Sequence, residues 1–108
     1  MIRNILAATL ASSAVFALSA LAQGADPNLG RNLAAACANC HGTNGVSLQG
    51  MPSLAGQQRA YLVQQMQDFR AGKRPATIMH QLARGYTDEQ IEALAAYFSA
   101  SASICSSV

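Results

Sequence analysis

The chain has 108 residues, with seven Lys/Arg against five Asp/Glu, three cysteines and no tryptophan. This is the length of a single domain. So even a charge balance carries no nucleic-acid footprint and gives little steering toward a highly charged partner.

Met1-Ile2-Arg3-Asn4 carries one positive charge, and Ile5 to Leu18 is an apolar run broken only by small residues. Ala20-Leu21-Ala22 then fits the small-x-small pattern of a signal-peptide cleavage site. Residues 1–22 are therefore expected to be a cleaved signal peptide, with the protein exported to the periplasm. The apolar run is shorter than the roughly 20 residues a spanning helix needs, which argues against a retained anchor. No membrane span is expected after it. The organisation that follows is a domain over residues 23–100 and a Ser-rich tail over 101–108. The hydrophobic content is inflated by the leading segment, since the only aromatics after it are Tyr61, Phe69, Tyr86, Tyr97 and Phe98. So small a core is marginal unaided and calls for a staple or a bound group.

Asp26-Pro27 opens the expected fold, Asp as an N-cap and Pro at the first helical position. The pattern predicts a helix over Pro27–Asn39 with Leu29, Leu33 and Ala36 on one face. Gly30 within it either permits a close helix crossing or is a tolerated glycine near the helix start. The run Cys37-Ala38-Asn39-Cys40-His41 follows. Cys-x-x-Cys-His is the attachment signal for c-type haem. Two thiols add to the two porphyrin vinyl groups, and the adjacent histidine ligates iron. A zinc ribbon would need a second Cys-x-x-Cys pair, and a thioredoxin-like motif would need a βαβ context. A plain redox or structural disulfide is the remaining reading, and it would not require His41.

Residues 42–53 hold Gly42, Asn44, Gly45, Gly50 and Pro52, all turn formers, and predict a loop. In a haem protein a carbonyl near Pro52 is placed to accept the free imidazole N–H of His41, orienting the ring. A helix is expected from near Gln57 to Ala71, with Leu62, Met66 and Phe69 on its apolar face, capped by Gly72 and stopped by Pro75. One or two helical turns are expected over residues 76–85. Thr87 with Gln90 forms a capping box for a helix to about Ala100, with Asp88 and Glu89 at its positive end. Ile91, Leu94, Ala95 and Phe98 recur at helical spacing along it. No strand pattern appears, so the fold class is all-α.

A haem that shuttles electrons generally has both axial positions filled by protein. The candidates for the second are Met51, Met66, Met79 and His80. Met51 lies in the loop next to His41, and Met66 sits on a core stripe where methionine commonly packs. Met79 comes after a full helix and a Pro-containing loop, from where it can reach the opposite haem face. It is the expected ligand, with His80, otherwise a surface histidine, as its rival.

Cys37-Ala38-Asn39-Cys40-His41-Gly42, Pro52-Ser53-Leu54-Ala55-Gly56-Gln57, Met79 and Leu94-Ala95-Ala96-Tyr97-Phe98 together resemble the class I c-type cytochromes. The resemblance covers essentially the whole chain after the leading segment. It implies a small fold of helices wrapped around one covalent haem c, with Gly30 beside Tyr97 where the terminal helices cross. It further implies Cys37 and Cys40 as thioether sites, His41 and Met79 as axial ligands, Pro52 giving its carbonyl to His41, and Leu54 packing on the ring. A narrower set is similar to the cytochrome subunit of flavocytochrome c sulfide dehydrogenase. It comprises Tyr61-Leu62-Val63, Phe69-Arg70-Ala71-Gly72-Lys73-Arg74-Pro75, Ile78-Met79 and Ala83-Arg84-Gly85-Tyr86. That likeness implies a flavoprotein partner bearing FAD, oxidising sulfide and passing electrons to this chain and on to a downstream acceptor. Some members of that family carry two haems, whereas this chain has one attachment motif. Cys105 departs from the pattern and is left over after attachment. It reads as a dispensable tail cysteine, a disulfide to a partner subunit or a soft-metal site.

Three functions follow. The chain is an electron-transfer subunit of an oxidoreductase complex, not itself catalytic; or a free periplasmic carrier with several partners; or, with an open haem position, an enzyme or gas sensor.

Overall fold

The computed structural model describes residues 26–48 and 50–101. The expected signal segment and Cys105 lie outside the described residues. Within them the chain is helical: α1 Leu29–His41, α2 Arg59–Arg70, α3 Met79–Leu82 and α4 Asp88–Ser101. Short 3-10 turns cover Thr43–Gly45 and Ala83–Gly85, and there are no strands among the described residues.

Helix α1 begins two residues later than the sequence predicts. Asp26 does not cap the helix directly. Its Oδ1 accepts the Asn28 N–H at 2.9 Å and its carbonyl accepts the Leu29 N–H at 3.1 Å. This local turn absorbs Pro27 and Asn28 ahead of the helix. At the other end α1 continues through the attachment motif to His41 and stops at Gly42, whose φ of 84° ends the helix. The buried face also differs from the expected one. Gly30, Ala34 and His41 are buried, while Leu29 and Leu33 are half-buried and Ala36 is exposed.

The reason is the crossing with α4, the most extensive helix contact in the fold. A Cβ on Gly30 would lie 2.3 Å from the Ala93 carbonyl oxygen and 3.1 Å from Tyr97 Cβ. The two backbones touch there, so small residues face α4 and the leucines flank the seam. From α4, Ile91, Leu94, Ala95 and Phe98 are buried as their spacing predicts. Thr87 and Gln90 cap it reciprocally, with N–H donations of 2.9 and 3.2 Å to each other's side chains. The helix runs one residue past its expected end because Ser101 is buried and donates its hydroxyl to the Tyr97 carbonyl at 2.8 Å.

Helix α2 starts at Arg59. The residues before it are committed elsewhere: Gly56 N–H donates to the Phe98 carbonyl at 2.9 Å and Gln57 N–H to Leu54 at 3.3 Å. It ends in a Schellman motif, with Lys73 N–H to the Asp68 carbonyl at 2.9 Å, Gly72 N–H to Phe69 at 3.1 Å, and Gly72 at φ 73°. Leu62 is buried, and Met66 and Phe69 are half-buried on the expected face. Arg70 reaches Asp88 at 2.5 Å and the Tyr86 carbonyl at 3.2 Å, pinning the end of α2 to the start of α4. Leu62, Ala34, Leu94, Ala95 and Phe98 form the buried cluster where α1, α2 and α4 meet.

Replacing Gly30 with Ala tests the crossing, because two effects oppose. Alanine gains about 1 kcal/mol of helix propensity. Overpacking against the Ala93 carbonyl costs about 1–3 kcal/mol. The contact distance makes the second dominate. Gly30→Ala is expected to lower the thermal midpoint, by about 4–8 °C for each kcal/mol of net loss, and a raised midpoint would show that the helices separate freely.

Candidate functional site

The last turn of α1 places Cys37, Cys40 and His41 at i, i+3 and i+4, so that all three side chains emerge on one side of the helix. They open into a cavity of about 380 Å³. Helix α2 supplies Tyr61, Leu62, Gln65, Met66 and Phe69 to its wall, and the connector from Arg74 to Ile78 closes one side. Met79 and Leu82 come from α3, and Ile91, Leu94, Ala95 and Phe98 from α4. Met51, Pro52 and Leu54 come from the loop after α1.

His41 is buried, 8% exposed, and its Nδ1 lies 2.7 Å from the Pro52 carbonyl oxygen. A carbonyl only accepts, so Nδ1 carries the hydrogen and donates it. The lone pair is then on Nε2, the nitrogen left for a metal. The loop that delivers Pro52 is held at several points. Gly42 takes φ 84° and ψ 162°, and its N–H donates to the Ala38 carbonyl at 3.0 Å. The Gly45 carbonyl accepts the Leu54 and Ala55 N–H groups at 2.8 and 3.1 Å. A Cβ on Gly45 would meet the Phe98 ring at 2.7 Å. The Tyr97 hydroxyl donates to Asn44 Oδ1 at 3.2 Å, and Ser53 Oγ accepts the Ser47 N–H at 2.9 Å.

The sequence-derived candidates Cys37, Cys40, His41, Pro52, Leu54 and Met79 are thus brought to one cavity. Cys37 is half-buried and Cys40 exposed, and both are free thiols. Burial pushes the Cys37 thiol up against a backbone hydrogen bond that lowers it, with the neighbouring Cys40 adding a smaller upward push. Burial likewise raises the Tyr86 phenol, with Cys37 contributing. Both shifts describe a water-poor wall. His80, adjacent to Met79, is not among the lining residues. It is not the surface histidine expected from the sequence either: it is half-buried, and its Nδ1 is buried without a hydrogen-bond partner. Met51 and Met66 also line the cavity. Met51 adjoins Pro52 and so is held on the His41 side, and Met66 is mid-helix in α2.

The donor set fits haem. Two thiols one helical turn apart suit the two vinyl groups, an imidazole with a free Nε2 suits iron, and a thioether lines the same space. The rest of the wall is predominantly apolar, as the porphyrin plate requires. Four of the exposed large hydrophobics, Met51, Tyr61, Ile78 and Leu82, lie on this wall. Sequence reasoning missed Tyr61, Gln65 and Arg74 as lining residues. Gln65 and Arg74 are polar and carry no motif, and only the turn after Gly72 folds Arg74 back onto α2.

The cytochrome c family profile matches residues 28–101. The chain is 42% identical over 69 residues to the cytochrome subunit of sulfide dehydrogenase from Chlorobaculum tepidum, covering 64% of this chain and 63% of that protein. It is 42% identical over 95 residues to the thiosulfate dehydrogenase electron acceptor of Stutzerimonas stutzeri, covering 81% of this chain and 44% of that protein. A solved cytochrome c4 from Acidithiobacillus ferrooxidans superposes with a TM-score of 0.57 at 42% identity, over 59% of this chain and 37% of that one. The chain therefore spans less than two thirds of each of these relatives.

The loop geometry makes Gly42 a sensitive position. Its backbone falls in a region almost confined to glycine, which costs other residues about 1–3 kcal/mol. A Cβ there would also sit 1.9 Å from the Val46 carbonyl oxygen. Gly42→Ala is expected to displace the loop, break the His41–Pro52 bond and lower stability by at least that amount in chemical denaturation. An unchanged denaturation midpoint would show that the turn is not required.

Proposed function

The chain belongs to the cytochrome c family, and we propose that it serves as the haem subunit accepting electrons from an FAD-containing sulfide dehydrogenase subunit. Electron transfer by a c-type cytochrome is the family's role. The sulfide-linked assignment is our narrower reading, and the observation that carries it is the likeness to the Chlorobaculum tepidum subunit. In this reading one haem would be held by Cys37 and Cys40 through thioethers, with His41 and Met79 as the residues that would ligate its iron. When bound, the haem supplies a one-electron ferric/ferrous couple. Pro52 fixes the imidazole through its carbonyl, and Leu54 and the α4 side chains exclude water. The protein moves no proton and bonds no substrate. It is exported to the periplasm with residues 1–22 removed, and a downstream acceptor takes the electron.

The assignment of Met79 over His80 is supported by its place in the cavity wall, which His80 does not share. Consecutive residues of a helical turn point about 100° apart, so the two cannot both face the iron. A second reading, a free carrier, is favoured by the likeness to a protein described as the thiosulfate dehydrogenase electron acceptor.

Isolation from the native periplasm under mild conditions separates these readings. A co-purifying flavoprotein, with sulfide reducing the haem, is expected. Haem protein arriving alone and left oxidised by sulfide would move the assignment to the carrier. Met79→Ala is expected to abolish the far-red sulfur-to-iron charge-transfer band and lower the midpoint potential. Survival of that band would exclude Met79 as ligand.

A further inference from the structure

The turn after His41 holds Asn44 at φ 54° and ψ 21°, the one positive φ outside glycine among the described residues. Asparagine tolerates that left-handed backbone. Two local hydrogen bonds close the turn, Gly45 N–H to the Gly42 carbonyl at 3.0 Å and Val46 N–H to the Thr43 carbonyl at 3.1 Å. They do not set how the turn sits against α4. Contacts from outside it do. The Gly45 carbonyl accepts the Leu54 and Ala55 N–H groups, and Gly45 lies against the Phe98 ring. The Tyr97 hydroxyl donates to Asn44 Oδ1 at 3.2 Å. The contacts at Gly45 are made by backbone and bulk packing. The one at Asn44 is made by a single hydroxyl.

Tyr97 is itself held firmly. Its Cβ faces Gly30 across the α1–α4 crossing. Its ring stands edge-on to Phe98, with centroids 5.2 Å apart and planes at 71°. The hydroxyl is therefore positioned by the crossing before it meets Asn44. From Asn44 the route to His41 is short. The next residue, Gly45, holds the Leu54 N–H through its carbonyl at 2.8 Å. Two residues before Leu54, the Pro52 carbonyl accepts the His41 Nδ1–H at 2.7 Å. Resting on the haem reading above, we infer that the Tyr97 hydroxyl is a positioning group for His41. By holding Asn44 it keeps the Pro52 carbonyl at hydrogen-bond distance from the imidazole, and so sets the basicity of Nε2.

Neither Tyr97 nor Asn44 lines the cavity, so the hydroxyl acts on its occupant through the loop and not by contact. The sign of the effect follows from the imidazole. A ring that donates a strong hydrogen bond from Nδ1 is more basic at Nε2. A more basic ligand favours ferric over ferrous iron. Loosening the loop weakens the bond to Pro52, which raises the midpoint potential. It also lets the His41 N–H open to water more often.

The test compares the haem-loaded wild type with Tyr97→Phe, Asn44→Gly and the double variant. Tyr97→Phe keeps the ring at the crossing and removes only the hydroxyl. Asn44→Gly removes the acceptor at a backbone conformation that glycine adopts freely. Either single variant serves alone if the other folds poorly. Two quantities are read: the midpoint potential at neutral pH, and the exchange rate of the His41 Nδ1–H by NMR of the ferrous protein. Each single variant is expected to raise the potential and to speed exchange about fivefold, the opening penalty of one ordinary hydrogen bond. The double variant is expected to match the singles, since all three lose the same bond. Variants with a lower thermal midpoint but wild-type potential and exchange overturn the inference, because that marks a purely structural bond, and they leave the haem reading intact. So do shifts that add in the double variant, since those mark two independent effects. Wild-type protein without covalent haem on a denaturing gel overturns the haem reading and this inference with it.

Discussion

The hydrogen bond from His41 Nδ1 to the Pro52 carbonyl, 2.7 Å long, is the contact on which the site's chemistry depends. It fixes the tautomer, because the acceptor carries no hydrogen, and so it aims an unprotonated Nε2 at the cavity. Its two ends belong to different parts of the chain. His41 is set by the last turn of α1, and Pro52 by a loop folded back over that turn. The loop is in turn fastened to α4 through Gly45 against Phe98, Gly56 N–H on the Phe98 carbonyl and Tyr97 on Asn44. Helix α4 takes its place against α1 only because Gly30 lets the two backbones touch. One nitrogen's orientation therefore depends on a glycine at the far end of the helix that carries it.

That dependence explains which parts of the structure were legible in the sequence. The attachment motif was legible because its chemistry dictates its spacing. The capping box at Thr87 and Gln90 and the stop at Gly72 were legible because local hydrogen bonding decides them, whatever the tertiary context. The buried face of α1 was legible only at Gly30, which the family resemblance sets beside Tyr97 at the crossing, as found; the periodicity of the helix pointed elsewhere. Hydrophobic periodicity weights Leu29 and Leu33, but at a close crossing the seam belongs to the smallest residues, and Gly30 and Ala34 carry almost no hydrophobic signal. The start of α1 was missed for a related reason: Asp26 can cap a helix or close a turn, and the same side chain suits both. The placement of Met79 and His80 turned on helical phase in a segment of one turn, too short for periodicity to fix. Arg74 was invisible as a wall residue because its position arises from a Schellman turn folding the chain back over α2.

The cavity also accounts for the sparse core. Among the described residues Ile91 is the only large side chain buried beyond 98%. Met51, Tyr61, Ile78 and Leu82 are each close to half exposed, and all four face the same space. A chain of this size that leaves its large apolar groups on one concave wall is arranged around something apolar that is not polypeptide. The inner faces of α2 and α4 supply much of the cavity wall, through Leu62, Met66, Ile91 and Leu94.

With haem in that position, anchoring and function share one set of contacts. Two covalent bonds to the last turn of α1, one imidazole held by a backbone carbonyl and a wall drawn from every helix would leave the ligands of a bound iron little freedom to rearrange. A carrier of single electrons benefits from that rigidity, because the site that holds the oxidised form must also hold the reduced one. A substrate-binding enzyme needs an open coordination position and a route for its substrate. Here the loop carrying Pro52 flanks one side of the cavity and the turn carrying Met79 supplies a soft donor to the same space. The remaining open part is the rim where Met51, Tyr61, Ile78 and Leu82 are half exposed, which is where the plate's edge would reach the surface. The arrangement favours passing an electron through that edge over doing chemistry at the metal.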